Sequence, residues 1–306
     1  MMPSDQWKPL RWKDIDAEQI KIVSAVIDKI PELPVHVHKI LKIVSDIDSD
    51  AKEIAQLASS DPVMVTKILN VVNSSYYGFS KKIEDVHLAI VLLGFAEIRT
   101  LALQTMLTQS IGKGNVYAGY DTRNLWLHSY QVSVCSEAFV GEKNPKMSGI
   151  YLALGLLHDI GKFLLCNIAF AMKQKRIKPK SVTTLNQDAA ILEREEHLFG
   201  VNHSIMGVML ARKWGLSDRI ASVIEYHHYP SYFDLNEIPC EYLEDITSIC
   251  IADHIINYLE NKSSMHPIPP ESFFNLLGFT LPVENVITVD IRKKIEKAKS
   301  FLTYIE

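Results

Sequence analysis

The dipeptide His158-Asp159 is the point from which chemistry can be read in this 306-residue sequence. His128 precedes it, and His203, the dipeptide His227-His228 and Asp253 follow it in that order. Imidazole and carboxylate are the donors that suit iron, manganese, zinc and similar divalent ions, and a carboxylate beside a histidine on one helix can bridge two of them. The series fits a site for one or two divalent transition metal ions. Lys162 lies four residues after His158, on the same helical face, and could direct its ammonium toward a bound phosphate. A metal pair that polarises a phosphoryl oxygen and lowers the pKa of water would hydrolyse phosphoesters, with Asp159 and Lys162 as the catalytic groups.

A lone histidine on an apolar face is more often a hydrogen-bonded core residue than a ligand. The ordered set argues otherwise, because desolvating so many imidazoles and carboxylates together is costly without a cation. Two positions stay open. His197 competes with His203, and Asp245 competes with Asp253, which His254 adjoins. His36, His38, His87 and His266 lack the pattern and read as surface or packing residues, as does the solvated basic run KQKRIKPK at 173–180. Gly155 and Gly161 flank the dipeptide and allow close helix packing at some cost in helix propensity.

Helices must position these residues, since nearly every segment carries helical period. Ser49-Asp50 precedes AKEIAQLASS, and Ser60-Asp61-Pro62 opens VMVTKILNVV with proline just inside the helix start. Asn, Ser and Gly in NSSYYGF favour a turn after it. Further helices are expected at 33–47, 85–93, 95–109, 122–141, 147–164, 183–199, 202–214, 217–228, 242–260 and 289–303. The fold class is therefore all-α. The aperiodic GKGNVYAGYDTRN (112–124) reads as the joint between two lobes. The expected division is an extension at 1–27, a helical lobe at 28–111, a metal-binding helical lobe at 112–262 and a helical tail at 263–306.

With 47% hydrophobic residues the chain can fill a core, and a net charge of −4 with interspersed signs gives no field that would draw it to nucleic acid. Direct nucleic-acid binding is disfavoured. Cys135, Cys166, Cys240 and Cys250 show no CxxC spacing and read as buried free thiols, which suits a reducing cytoplasm. The polar start MMPSDQWKPLRWKDID has no signal-like apolar stretch, and no apolar run is expected to reach membrane-spanning length. No membrane association follows from it.

IPELP (30–34), LASSDPVMVTKILNVVNSSYYGF (57–79) and IEDVHLAIVLLGFAEIRTLAL (83–103) resemble, segment by segment, the HDOD domain of the HD metal-dependent phosphohydrolase superfamily. LWLHS (125–129), ALGLLHDIGKFLL (153–165) and the stretch from Glu195 to His228 continue the resemblance. It implies a bacterial, two-lobed helical protein, an N-terminal helical lobe followed by an HD-like bundle, acting as a signal-transduction or regulatory module with a protein partner. Many such domains have lost part of the HD ligand set; this sequence keeps it. Carried over, the series is also similar to that of the HD-GYP cyclic-di-GMP phosphodiesterases, with His128, His158, Asp159, His203, His227, His228 and Asp253 as metal ligands and Lys162 beside them. That similarity implies iron or manganese and a nucleotide or cyclic dinucleotide ligand. YPSYFD replaces the Gly-Tyr-Pro segment, and Asn124 stands where trinuclear members carry glutamate. The leading reading is a regulatory metal-binding module, and the alternative is an active phosphohydrolase or phosphodiesterase.

Overall fold

The computed structural model describes residues 7–32, 51–111, 121–141, 147–174, 190–260 and 267–303, with positions 39, 144 and 262 besides. Among the described residues the elements are helices, short 3-10 turns and loops, without a strand. The expected helix at 33–47 apart from position 39, residues 112–120 of the inter-lobe joint expected at 112–124, and the histidines His36, His38 and His266 lie outside them; the last residues of that joint, from Thr122, already belong to a helix.

An N-terminal helix α1 (Ala17–Ile27) is followed by α2 (Ala51–Ser60), α3 (Pro62–Val72), α4 (Val86–Leu93) and α5 (Phe95–Ile111). Asp61 and Asp85 cap α3 and α4 by accepting from the backbone N–H groups of the first turn. Met64, Ile68, Val71, Ile90 and Ile98 bury the inner faces of these helices in one core. Then come α6 (Thr122–Gly141), α7 (Ser148–Leu157), α8 (Ile160–Gln174), α9 (Ile191–Phe199), α10 (His203–Lys213), α11 (Asp218–Tyr226), α12 (Leu243–Leu259), α13 (Glu271–Leu276) and α14 (Val289–Thr303). The single helix expected at 147–164 is two helices that meet at His158-Asp159, where the backbone turns. The stretch 148–169 is also long and apolar enough to cross a membrane by composition, contrary to expectation, but it is wholly buried in the protein. It is a core element here, and its length is spent on packing.

Close approach around the break depends on two glycines. A β-carbon at Gly155 would lie 2.3 Å from the Ser133 Cα of α6, and one at Gly161 would lie 1.9 Å from the His203 carbonyl oxygen of α10. Backbone cannot yield as a side-chain tip can, so any larger residue forces the helices apart. Three of the four cysteines are buried as expected; Cys240 is exposed because its segment forms a 3-10 turn outside any core helix.

The N-terminal segment is a strap rather than a loose extension. Asp16 and Gln19 form a capping box that starts α1, a signal readable in the sequence but not used for a helix there. Lys213 Nζ donates to the Ile27 and Ile30 carbonyls, and the Trp214 indole donates to Pro31. Upstream, the Leu10 N–H and Asn202 Nδ2 both donate to Glu196 Oε1 at 2.7 Å, while Asn202 Nδ2 also donates to the Leu10 carbonyl. Arg11 pairs with Glu237, Trp7 packs edge-on to Tyr232, and Arg212 lies over Trp12.

Burial pushes the Glu196 carboxyl up to about 7, against the hydrogen bonds that favour its charge. The folded pKa exceeds the ordinary value of 4.5, so ionisation weakens the fold, and the loss accumulates as pH rises from the unfolded pKa through the folded one. Glu196→Gln should therefore unfold at higher urea concentration than the wild type at pH 8, with the difference closing in acid. Gly161→Ala should lower the unfolding free energy by about 1–3 kcal/mol or more, and with it the urea midpoint at every pH.

Candidate metal centre

Five elements deliver the donor atoms. His128 comes from the first half of α6, His158 and Asp159 from the α7–α8 junction, His203 from the first position of α10, His227 and His228 from the end of α11, and Asp253 from the middle of α12. The break between α7 and α8 matters, because it turns His158 and Asp159 together into the centre. Asn202 caps α10 by accepting from the Ile205 N–H and so fixes where His203 begins.

Second-layer hydrogen bonds orient the rings. His158 Nδ1 lies 2.7 Å from the Gly155 carbonyl, and His227 Nδ1 lies 3.0 Å from the Ile224 carbonyl. A carbonyl only accepts, so both rings carry a proton on Nδ1. His227 turns a bare Nε2 inward. Against its burial, the Asp159 and Asp253 carboxylates hold the His158 pKa above its ordinary value, so an ion at His158 displaces a proton. His203 Nδ1 lies 2.6 Å from Glu195 Oε2, which also accepts the His203 N–H at 2.9 Å. This is the carboxylate–imidazole arrangement that raises ligand basicity and fixes the tautomer. Asn257 Nδ2 donates to Asp253 Oδ1 at 2.7 Å. Glu195 and Asn257 escaped the sequence reading. The Asn257 signal, one turn after Asp253, was available; Glu195 and His203 are joined through a loop, where no spacing rule operates.

Asp159 stands between two groups of donors. Its Oδ1 faces His203 Nε2 at 3.2 Å and His227 Nε2 at 3.7 Å, and His228 Nε2 is 3.0 Å from His203 Nε2. Its Oδ2 faces His158 Nε2 at 3.3 Å and His128 Nε2 at 3.7 Å, and His128 Nε2 is 2.8 Å from Asp253 Oδ1. Asp159, His203, His227 and His228 thus make one compact donor group, and His128, His158 and Asp253 another. All seven residues are buried.

Lys162 Nζ donates to Asp159 Oδ2 at 2.6 Å. Burial opposes its charge, yet Asp159, Asp253 and Glu195 outweigh that and hold its pKa above the ordinary value. Burial likewise works against an ionised Asp159, and the charges of His158 and Lys162 overcome it, so the carboxyl stays well below its usual range. Burial lowers His227 to about 4, and burial with the two neighbouring rings drives His228 well down. Both are neutral near pH 7, the state a ligand needs.

The arrangement could hold metal. His158 Nε2 and Asp159 Oδ1 are buried without a hydrogen-bond partner. Leaving such groups unmet costs about 1–3 kcal/mol each, and a cation between facing lone pairs removes the penalty.

The open alternatives resolve. His197 is outside both donor groups, and Asp245 is engaged with Arg219 at 3.0 Å, well along α12 from Asp253. His254 is buried beside Asp253 but contributes to neither group, and His87 is exposed.

The sequence matches the HDOD domain family over residues 30–230, and the chain belongs to that family. A protein of unassigned function from Treponema pallidum (strain Nichols) is 24% identical over 280 residues; these cover 86% of this chain and 50% of that protein, so the chain spans about half the length of this curated relative. Among solved structures, an HDOD domain protein of unknown function from Geobacter sulfurreducens is similar with a TM-score of 0.56 at 22% identity, covering 95% of this chain and 97% of that one. A candidate phosphohydrolase from Shewanella amazonensis gives 0.63 at 18% identity, with 93% and 98% covered. A candidate signal-transduction protein from Marinobacter aquaeolei gives 0.69 at 16% identity, covering 94% of this chain but 65% of the other. These structural likenesses establish a shared fold.

Glu195→Gln should weaken metal binding about 10–100-fold, read by competition with a chelating dye, while leaving the helical circular dichroism unchanged. Asp159→Asn should remove metal from both donor groups, whereas His228→Ala should retain the ion held by the other group. Elemental analysis of untagged protein purified without chelator reads both.

Proposed function

We propose that the protein is a bacterial regulatory module of a signalling pathway whose conformation is set by two divalent transition metal ions, iron or manganese, at Asp159. His203, His227, His228 and Asp159 Oδ1 would hold one ion; His128, His158, Asp253 and Asp159 Oδ2 would hold the other. The carrying observation is the position of Asp159, with one carboxylate oxygen toward each donor group. Bound there, divalent ions supply Lewis acidity and a lowered pKa for water.

The regulatory reading rests on what the side chains already do. Lys162 is committed to charge balance with Asp159, and the donors tie α6, α8, α10, α11 and α12 to one point. An ion that binds only this arrangement stabilises it over any looser one. A protein partner has apolar surface available on α4, where Val91 is 73% and Leu88 is 47% exposed. Three buried free thiols fit a reducing cytoplasm. The division into lobes at 111/112 belongs to the same proposal, with the metal lobe extending to 262 and a tail beyond it.

A second reading is a phosphohydrolase or phosphodiesterase acting on a nucleotide or cyclic dinucleotide. It is favoured by Lys162 lying at the slightly exposed edge of the centre beside His128 and Asp253, where an ammonium released from Asp159 could meet a phosphate. The name of the Shewanella relative is in keeping with it, and that of the Marinobacter relative with the first.

The two readings separate in one experiment on the full chain. Loading chelator-treated protein with manganese, or anaerobically with ferrous iron, should raise the melting temperature and slow proteolysis, while cyclic dinucleotides, nucleotides and bis(p-nitrophenyl) phosphate are turned over no faster than in protein-free buffer. Turnover at enzymatic rates that Lys162→Ala abolishes with metal content intact would overturn the regulatory reading in favour of the second.

A further inference from the structure

A cavity of about 460 Å³ opens between α6, α7, α12 and the segment around α13, away from the metal centre. Its volume falls in the usual range for small-molecule sites. One wall is apolar: Phe139 and Phe279 meet edge-on with ring centroids 4.9 Å apart, and Leu276 lies beside them. Two carboxylates share the lining. Glu241 and Glu244 are exposed there and make no ion pair among the described residues.

The floor is polar and buried. Asp245 pairs with Arg219 at 3.0 Å and takes a hydrogen bond from the Tyr151 hydroxyl. Among the described residues Arg219 is the one cation of the lining, and its pairing with Asp245 leaves Glu241 and Glu244 as the uncompensated charges of that described lining. Ser248, on α12 one turn beyond Asp245, is buried beneath the same cavity, with its hydroxyl beside that of Tyr151.

We infer that this cavity is a second ligand site, for a small organic amine whose ammonium faces Glu241 and Glu244 and whose apolar body lies on Phe139, Phe279 and Leu276. The field disfavours nucleotides and other phosphate-bearing ligands, so the site differs in chemistry from anything the metal centre would receive. Phe279 and Leu276 fall outside the residues 30–230 that match the HDOD family.

Its placement gives it a route to the centre. From the cavity α7 runs seven residues from Tyr151 to His158, and α12 runs eight from Asp245 to Asp253. At 1.5 Å per residue these are spans of about 10–12 Å along rigid helices. An occupant braces the same frame that carries half of the donor set.

The test is calorimetric titration of the full-length chain, as purified, with 2-phenylethylamine, tryptamine and agmatine, and with 3-phenylpropionate as the anionic match of the first. At least one amine should bind saturably at millimolar concentration or below, and 3-phenylpropionate should not. The double substitution Glu241→Gln with Glu244→Gln removes charge from exposed positions and should weaken that amine about tenfold, equivalent to about 1.4 kcal/mol, with the melting temperature and metal content unchanged. Leu276→Ala, also exposed, should weaken the same amine a fewfold. Saturable binding by none of the amines, equal binding of the carboxylate, or wild-type affinity in the double variant would each overturn the inference. Metal content enters none of these outcomes, so failure here leaves the reading of the metal centre standing.

Discussion

A fully buried carboxylate, Asp159, is the constraint on which the rest of the structure turns. Its charge is tolerable only because Lys162, 2.6 Å away, and a ring of imidazoles surround it. Removing one member of such a group leaves an uncompensated charge in a low-dielectric interior, which costs far more than the intact group contributes. The helices must therefore meet at this point and in this order. The Nε2 atom of His203 faces those of His227 and His228 across short distances, an arrangement that neutral rings do not favour among themselves. A cation resolves it, and the protonated lysine resolves part of it.

The scaffold is fitted to that requirement at the level of single atoms. Glycine at 155 lets α7 lie against the backbone of α6, and glycine at 161 lets α8 lie against the first turn of α10. Without those contacts His158 and His203 could not approach the same carboxylate. Hydrogen bonds donated by Nδ1 of His158, His227 and His203 to the Gly155 and Ile224 carbonyls and the Glu195 carboxylate then place a proton on Nδ1 of these three rings. The strap from Trp7 to Asp16 packs against Asn202, Glu196 and Tyr232, the neighbours of His203 and His228. It braces one side of the centre with polar contacts that depend on the charge state of Glu196.

Much of this was legible in the sequence. The helical period located most described helices closely, since amphipathic patterning reports directly on burial. The donor series was legible because the HD pair, the double histidine and the outlying His128 and Asp253 keep a fixed order. What remained hidden depends on three dimensions. His197 and His203 carry the same residue type within a few positions of each other, and only the turn at Gly200 decides which faces inward. Asp245 and Asp253 lie on one helix about two turns apart, near the same face, so periodicity cannot separate them. The break at His158-Asp159 has no proline or turn sequence to announce it. Glu195 reaches His203 across a loop, and the Phe279 wall of the amine cavity is brought to α6 by packing of the tail.

The central claim is that one carboxylate serves two ions. Anomalous diffraction from crystals of the full chain grown with saturating manganese tests it most directly. The account predicts two peaks flanking Asp159, one next to Oδ1 with His203, His227 and His228, the other next to Oδ2 with His128, His158 and Asp253. A single peak, or ions bound without Asp159 as a shared ligand, would contradict it.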